Sequence, residues 1–303
     1  MDKSVPQKNL LGELTMYIGF NSMNTINDPS PTELATALEE HGFESLWYGE
    51  HSHIPMSLKT PYPGGGVLPE PYKGMMDPYV SLMAAASVTT NLKLGSGIAL
   101  LLERELFSQA KTIATLDRLS NGRVIIGTGV GWNEEGFENC TSLPWKKRFT
   151  ALKETVAAQR ILFSEAEPEY HGSLIDFDKV WFEPKPQQPG GPKTVLGVMG
   201  PVGVKHAAEW ADGWMPADVA LPDVVQSVKD FREQVASFGR NPDDVEITIV
   251  VMDDPSPDKL KRYRDAGIDR ALIGVGLENW DKPEIIQPMI ERFAPHIPDL
   301  LAK

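Results

Sequence analysis

Glu50, His51 and His53 are the residues whose types and spacing most directly suggest chemistry. They follow an apolar and aromatic run at 45–48, which has the composition of a buried strand, and they precede a loop rich in glycine and proline. Proteins of the α/β class usually place their reactive groups where a strand ends and a loop begins. An imidazole suits this place, because its ordinary pKa of about 6.5 lets it exchange protons near neutral pH. The stretch therefore predicts a reactive site at this strand end.

Three interpretations of the two histidines are open. They could be loop residues with polar partners, or His51 could be a hydrogen-bonding group beside a bound cofactor or intermediate. They could also begin a metal site, because a His-x-His pair at a strand end points both imidazoles to one face. Such a site needs ligands from later strands, and the last predicted strand ends without an aspartate. The histidines farther along the chain fall in an irregular segment, a helix and the carboxyl-terminal region: His171, His206 and His296.

Glycine-containing segments follow three other predicted strands. The run Gly127-Thr-Gly-Val-Gly131 is followed by Trp132-Asn-Glu-Glu, which lacks the third glycine of the dinucleotide fingerprint and argues against a nicotinamide Rossmann site. Its alternating glycines leave one face of the strand bare, so that a flat ligand could lie against the backbone. The run Gly200-Pro-Val-Gly203 stands between a strand and a helix start, where free amides could hold a phosphate. Gly97, near the end of a third strand, is also consistent with a simple bulge.

Eight predicted strands, each followed by a helix, must position these segments. This alternation over one chain of 303 residues predicts an α/β protein with a closed (β/α)₈ TIM barrel and a single domain over 1–303. A doubly wound open sheet is the alternative. The predicted strands are 16–20, 45–50, 91–100, 123–127, 194–198, 213–215, 245–251 and 270–275.

Two segments interrupt the regular alternation. Residues 54–76, after the second strand, are rich in proline and glycine; they are not expected to form a helix and predict a long surface loop beside the site. Residues 164–192, before the fifth strand, are irregular, and we expect a small hairpin around 170–177 within them. Both are predicted to be insertions that cover the substrate.

Composition limits the partners. The chain has 29 basic and 42 acidic side chains and a net charge of −13, which argues against nucleic acid or an anionic membrane surface as partner. Cys140 is the only cysteine, which fits a reducing compartment. No secretory signal pattern and no apolar run of membrane-spanning length is evident in the sequence. A cytoplasmic location is therefore expected.

Several motifs taken together resemble one known family. The combination is similar to the bacterial-luciferase-like flavin monooxygenases and deazaflavin-dependent oxidoreductases, and it covers roughly residues 14–277. No single motif would be specific for this family, but the motifs in this order are. The motifs are Trp47-Tyr-Gly-Glu-His51, Leu94-Gly-Ser-Gly-Ile98, Asp117-Arg-Leu-Ser-Asn-Gly-Arg123, Gly127-Thr-Gly-Val-Gly-Trp132 and Ala211-Asp-Gly-Trp214.

The resemblance implies a TIM barrel that binds FMN or coenzyme F420 at the carboxyl ends of its strands. It implies that His51 and Glu50 are the catalytic pair facing the cofactor ring, with His53 a pocket or loop residue. It also implies a non-proline cis peptide bond between Gly97 and Ile98, behind the ring. No metal ligands are implied. The cofactor-binding residues it implies are His51, Ser96, Gly97, Ile98, Thr128, Val130, Gly131, Trp132, Met199, Gly200, Pro201, Val202 and Gly203.

One position departs from the luciferase pattern. At the position of Val130, luciferase itself has an arginine that contacts the phosphate. The pattern of this chain is therefore closer to the F420-dependent branch. Coenzyme F420 is therefore the first choice of cofactor and FMN the second. FMN would permit oxygen activation, whereas the deazaflavin supports hydride transfer only.

The function expected from the resemblance is an F420- or FMN-dependent oxidoreductase or monooxygenase that acts on a small organic substrate. A non-catalytic flavin-binding protein on the same fold is an alternative of a different class. A metal-dependent barrel hydrolase is a further alternative. The family commonly forms dimers, so a homodimer is expected, and the small residues Ala84 to Ala86 would let a helix pack closely against a second copy.

Overall fold

The computed structural model describes residues 14–276, 279 and 281–301. Eight parallel strands close into a barrel in the order β1, β2, β3, β4, β7, β8, β9, β10 and back to β1, and β5 and β6 form a separate antiparallel hairpin. The (β/α)₈ prediction is confirmed. The strands are β1 Tyr17–Ser22, β2 Ser45–Tyr48, β3 Lys93–Ala99, β4 Val124–Thr128, β5 Tyr170–His171, β6 Asp176–Phe177, β7 Lys193–Leu196, β8 Gly213–Trp214, β9 Glu246–Val250 and β10 Arg270–Gly274.

Helices surround this barrel. Most begin at a polar cap: the Ser30 side chain accepts from the Glu33 amide and Glu33 bonds back to the Ser30 amide, which is a capping box. Asp77 and Asp223 cap two others by accepting backbone amides with their side chains. The helices are α1 Pro31–Glu40, α2 Pro78–Val88, α3 Leu106–Leu119, α4 Glu134–Cys140, α5 Arg148–Ser164, α6 Pro201–Trp210, α7 Val224–Ser237, α8 Pro257–Asp265, α9 Ile286–Phe293 and α10 Ile297–Leu301.

The apolar side chains form two cores. The larger lies between the strands and the surrounding helices, and it includes Phe20 and Tyr48. The smaller fills the barrel interior. This is the packed interior that such barrels require, because alternate strand residues point inward. Its members are Trp47, Ile125, Val195, Met215 and Leu272, with Ile98 and Val250 packed against them.

The amino-terminal end of the barrel interior is closed by a charged network. The Arg270 guanidinium donates to both Glu44 carboxylate oxygens, at 2.7 and 2.9 Å, and also to Glu246 and to Thr248. Thr248 donates in turn to Glu246 at 3.0 Å, and Lys193 lies 3.8 Å from the same carboxylate. Arg270 is only 4% exposed, so its buried charge is matched by two carboxylates.

Both insertions lie where the sequence places them. Residues 54–76 connect β2 to α2, and the β5–β6 hairpin pairs Tyr170 with Phe177 between α5 and β7. One detail of the first insertion was predicted wrongly, because Glu70–Lys73 forms a 3₁₀ turn. A 3₁₀ turn tolerates proline at its start, where the missing amide would have no helical partner.

Two helical details also differ from the sequence prediction. Helix α4 was not anticipated; the Asn133 side chain caps it by accepting from the Gly136 amide at 2.6 Å, and Glu134 and Glu135 fall in its positive first turn. The last helical region is divided into α9 and α10 by a 3₁₀ turn at Ala294–His296, which contains a proline. In the described part of the chain, no helix is both long and apolar enough to cross a membrane.

Candidate active site at the carboxyl ends of the strands

Glu50 follows β2 and is almost fully buried. Its carboxylate accepts the Leu100 amide at 2.7 Å and the Arg104 Nε at 2.6 Å, and Arg104 Nη2 also contacts it. Burying a carboxylate costs free energy unless hydrogen bonds and an opposite charge compensate, and here both are present. Glu50 is therefore a fixed structural link between the ends of β2 and β3, beside His51.

Arg104 joins three segments at this end of the barrel. Besides Glu50, it donates to Asp77 at 2.6 Å, and its guanidinium lies 4.9 Å above the Tyr79 ring. Asp77 ends the first insertion and caps α2 by accepting from the Tyr79 and Val80 amides. The ion pairs of Arg104 thus tie both ends of the insertion to the barrel.

His51 lies under a group of aromatic rings. Its ring centroid is 5.3 Å from that of Tyr72 and 5.9 Å from that of Trp132, both edge to face. Tyr62 contacts the same two rings at 5.4 and 5.9 Å. Burial, with a smaller contribution from His53, lowers the His51 pKa to about 4. His51 is therefore a neutral imidazole at physiological pH, able to accept or donate a proton at its ring nitrogens.

The first insertion is fastened to α4. The Thr60 amide donates to Glu135 at 2.9 Å, and the Thr60 hydroxyl makes a second bond to this carboxylate and accepts from the Glu134 amide at 3.3 Å. The bond from Thr60 lowers the Glu135 pKa to about 2, so the contact persists across the physiological pH range. The insertion thereby holds Tyr62 against Tyr72 and Trp132, the two rings that contact His51.

His53 belongs to the rim. Its ring nitrogens contact the Ser52 hydroxyl and the Asn139 amide, each at 3.0 Å, and the Cys140 sulfur lies 4.0 Å away. This is the environment expected of a loop histidine with polar partners. Across the described residues, no group of three or more His, Cys, Asp or Glu side chains is arranged to hold a metal ion.

Glu103 is a titratable residue that the sequence analysis missed. It ends a 3₁₀ turn after β3, accepts from the Cys140 thiol at 3.9 Å, and has an oxygen 3.7 Å from where a Cβ on Gly131 would stand. Burial, reinforced by the negative charge of Glu50, raises its pKa to about 7. The signal in the sequence was weak, because an acidic residue four positions after a strand is common on a surface.

The residues at the end of β3 are brought together as expected. The peptide bond between Gly97 and Ile98 is cis, and the register with β4 shifts between Ser96 and Ala99. The Ser96 hydroxyl donates to the Gly127 carbonyl at 2.9 Å, and the Thr128 hydroxyl donates to the Ala99 carbonyl at 2.8 Å. Both hydroxyls are fully buried, so these two side chains join β3 to β4 and are not available to a ligand.

The prediction that the β4 glycines leave a bare face is wrong. A Cβ on Gly127 would collide with the Ser96 carbonyl oxygen, and a Cβ on Gly129 would stand 2.6 Å from Ile98. The Ile98 side chain also fills the space at Gly197, 2.5 Å from its Cβ position. These glycines therefore let strands and the Ile98 side chain pack closely, which only tertiary structure reveals.

The loop after β4 supplies the remaining predicted contacts on that side. Gly131 has a positive φ of 69°, which glycine adopts readily and which turns the chain so that Trp132 faces His51. Val130 is half-buried and packs against the larger core. Of these residues, Trp132 is the one that the structure places beside His51.

The segment Met199 to Gly203 forms the exposed start of α6. Gly200 is the N-cap, no side chain caps the helix, and a Cβ on Gly200 would meet nothing within 4 Å. Met199 and Val202 are 51% and 57% exposed, whereas Gly203 is buried against Val198. The first-turn amides of α6 are therefore open, and an uncapped helix start attracts anions.

The chain belongs to a known family. The model of the luciferase-like monooxygenases matches residues 29–279, which is most of the sequence. The closed barrel of eight parallel strands agrees with this class. The resemblance inferred from the sequence motifs is confirmed.

Individual relatives support the same placement. An uncharacterized protein of Mycobacterium tuberculosis is 36% identical over 266 residues, which cover 86% of this chain and 92% of the relative. A solved structure of the monooxygenase RslO1 from Streptomyces bottropensis matches 94% of this chain and 99% of its own, with a TM-score of 0.73 and 19% identity. An F420-dependent secondary alcohol dehydrogenase, solved with an F420–acetone adduct, matches 95% of this chain and 99% of its own, with a TM-score of 0.71 and 19% identity.

Proposed function

We propose that this protein is an oxidoreductase that uses a reduced deazaflavin or flavin on a small organic substrate at the carboxyl ends of the barrel strands, here called the barrel mouth. One observation carries the proposal: a half-buried, neutral His51 and an uncapped helix start at Gly200 lie at the same end of a barrel of the luciferase-like family. The first suits proton transfer at a reacting centre, and the second suits a phosphate.

The residues present fit such a cofactor. Its phosphate would bind at the first turn of α6, where the Val202 and Gly203 amides follow an N-cap without a competing side chain. Helix starts of this kind bind phosphate through their amides and the helix dipole. Family membership favours a bound deazaflavin or flavin, which would supply the electron pair and, in the case of FMN, oxygen chemistry.

Side chains of the protein would supply the other functions of the site. His51 would hold or release a proton at a ring nitrogen, because its lowered pKa keeps it neutral. Glu50 and Arg104 would position the backbone that carries His51. Tyr62 and Tyr72 would exclude water from the imidazole, which strengthens polar interactions within the site.

Coenzyme F420 is the preferred cofactor in this proposal, with FMN as the second candidate. Val130 packs in the apolar core and offers no charge to a phosphate, so the α6 start carries that task alone. The similarity to an F420-dependent alcohol dehydrogenase supports the same choice. A small neutral substrate suits the site, because Arg104 is already paired with Glu50 and Asp77.

A binding titration tests the proposal. Apo-protein is titrated with F420 and with FMN, and Gly200→Asp is compared with Gly200→Ala. An aspartate at this N-cap would stabilise the helix but repel a phosphate, whereas alanine adds no charge. We expect saturable binding by the wild type and about tenfold weaker binding by Gly200→Asp alone. Absence of binding of both cofactors to the wild type would contradict the proposal.

Turnover separates this proposal from a non-catalytic flavin-binding protein. Reduced cofactor is mixed with candidate ketones, aldehydes and oxygen, and its reoxidation is followed by absorbance. A protein that binds the cofactor but never accelerates its reoxidation would favour the non-catalytic alternative.

We also propose that the protein forms a homodimer through α2. This helix has no charged residue and buries one face, yet its other face exposes Val80 and Val88 at 72% and 45%. A helix that is apolar all round usually has a partner on each side. A Val80→Asp/Val88→Asp protein should run as a monomer where the wild type runs as a dimer; a monomeric wild type would contradict the proposal. The single domain and the cytoplasmic location stay predictions.

A further inference from the structure

Asn21 is a polar side chain in the apolar interior of the barrel. It is the fifth residue of β1, and its neighbour Phe20 packs outward in the larger core. Because successive strand residues point to opposite faces, Asn21 points inward. It is in register with Trp47 on β2 and with Gly274 on β10, near the carboxyl ends of all three strands. Asn21 therefore stands at the barrel mouth, directly above the inner core.

The Asn21 carboxamide oxygen is buried and has no hydrogen-bond partner among the described residues. It lies 3.0 Å from the position of a Cβ on Gly97. A buried amide oxygen without a partner costs the fold about 1–3 kcal/mol. An apolar side chain of the same shape, such as leucine, would avoid this cost, so the fold alone does not explain an asparagine here.

Two glycines border Asn21. Gly274 ends β10, the strand beside β1, and Gly97 on β3 lies next to the Asn21 oxygen, so neither adds a side chain there. Asn21 as a residue is partly exposed, although its oxygen is buried. Its inward direction near the carboxyl end of β1 places the amide at the edge of the inner core, on the side where a ligand would lie.

We propose that Asn21 contacts the bound cofactor and accepts a hydrogen bond from an N–H group of the deazaflavin or flavin ring. This inference rests on the proposed function, since it assumes that the ring enters the barrel mouth. Both ring systems carry N–H donors, which a side-chain amide oxygen accepts well. Binding would then satisfy an acceptor that the apo-protein leaves unpaired.

Tyr48 provides a matched comparison. Its hydroxyl is also buried without a partner among the described residues, but it belongs to the core between barrel and helices. Removing the hydroxyl in Tyr48→Phe relieves an unpaired polar atom that faces away from the mouth. Stability should respond similarly in both variants, whereas ligand affinity should respond only at Asn21.

The experiment measures two quantities for wild type, Asn21→Leu, Asn21→Asp and Tyr48→Phe. The first is the melting temperature of the apo-protein, and the second is the Kd for oxidised F420 and for FMN by fluorescence titration. We expect Asn21→Leu to melt about 2–6 °C higher and to bind about tenfold more weakly. Tyr48→Phe should also melt higher but keep the wild-type Kd. Asn21→Asp keeps an acceptor oxygen and should bind within about threefold of wild type.

The outcomes separate this inference from the proposed function. A wild type that binds neither cofactor contradicts both. A wild type that binds, with Asn21→Leu binding equally well, overturns the role of Asn21 alone. Asn21→Leu that melts lower than wild type, with the melting temperature restored in Asn21→Asp, also overturns it, because the amide would then serve the fold.

Discussion

The two ends of the barrel differ in whether their buried polar side chains have hydrogen-bond partners. At the amino-terminal end, Arg270 is matched by Glu44, Glu246 and Thr248, and none of these side chains has an unpartnered polar atom. At the mouth, Asn21 and Asn133 each keep a buried amide atom without a partner among the described residues. Both ends are built from the same strands. We therefore attribute the difference to ligand binding at the mouth and to stability at the amino-terminal end.

We infer that the paired polar groups at the amino-terminal end stabilise the fold, whereas the unpaired ones at the mouth are left for a ligand. A polar network stabilises only if each member has its partners, whereas a buried polar atom without a partner lowers stability. In such barrels, residues at the carboxyl ends of the strands usually serve function, and residues at the opposite end usually serve stability.

Arg270→Met should have the largest effect on stability. It leaves the partly buried Glu44 without its cation and Glu246 with only Lys193, 3.8 Å away, which costs about 3–5 kcal/mol of unfolding free energy. Urea denaturation measures this loss. The same substitution at Arg292, which pairs with Asp254 on the surface at 3.5 Å, serves as control and should cost less than about 0.5 kcal/mol. Equal losses at both positions would contradict the assignment.

His51→Gln should have the largest effect on turnover. Loss of an acid–base group lowers kcat by about 10²- to 10⁴-fold, while His53→Gln at the rim should stay near wild type. Full turnover by His51→Gln would remove its catalytic role.

The low pKa of His51 also predicts a dependence of stability on pH. Its folded pKa of about 4 lies below the ordinary 6.5, so the unfolded chain binds the extra proton in that interval. Wild-type stability should therefore fall as the pH drops from 6.5 towards 4, and His51→Gln should lack this component. Thermal melts across this range measure it, and parallel curves for the two proteins would contradict the assigned environment.

Arg104→Met should have an intermediate effect on both properties. Arg104 is partly exposed, so the lost ion pairs cost about 1–2 kcal/mol, less than at Arg270. Because Glu50 then loses its anchor beside His51, cofactor affinity should fall as well. Arg104→Lys keeps the charge but cannot donate to Glu50 and Asp77 through one planar group, so it should restore stability more than affinity. A variant that loses stability but binds normally would make Arg104 purely structural.

Glu103→Gln should have the smallest effect, visible only in its dependence on pH. The folded pKa of Glu103 is about 7 against an ordinary 4.5, so the folded state binds the extra proton between these values. Its contribution is complete below pH 4.5 and is lost as the pH rises to about 7. Glu103→Gln should therefore match wild type at pH 4 and be more stable at pH 8. A constant difference would contradict the raised pKa.

The barrel was predictable because its strands are apolar runs at regular spacing. The position of His51 at the end of β2 followed from sequence order alone. Helix α4 could have been found, since Asn133 followed by Glu134 and Glu135 is a recognisable helix start. The role of Arg104 could not have been found from the sequence, because its partners Glu50 and Asp77 lie 54 and 27 positions away and meet it only in the folded barrel.

Two features of the barrel mouth depend on how neighbouring strands pack. The alternating glycines at 127 and 129 predict a bare face for a flat ligand, but Ser96 and Ile98 from the neighbouring strand cover them. Asn21 is a polar residue near the end of an apolar strand, which is a visible signal, but its inward direction is not. Which face of a strand is occupied depends on the neighbouring strand, and a single sequence does not specify that.

Hydrogen–deuterium exchange with and without F420 tests the contrast between the two ends most directly. Binding at the mouth should slow exchange in residues 50–76, 129–140 and 199–204. Exchange at the amino ends of β9 and β10, around Glu246 and Arg270, should stay unchanged, because the charged network is already complete. Protection confined to the amino-terminal end, or no protection at saturating F420 and FMN, would contradict the account.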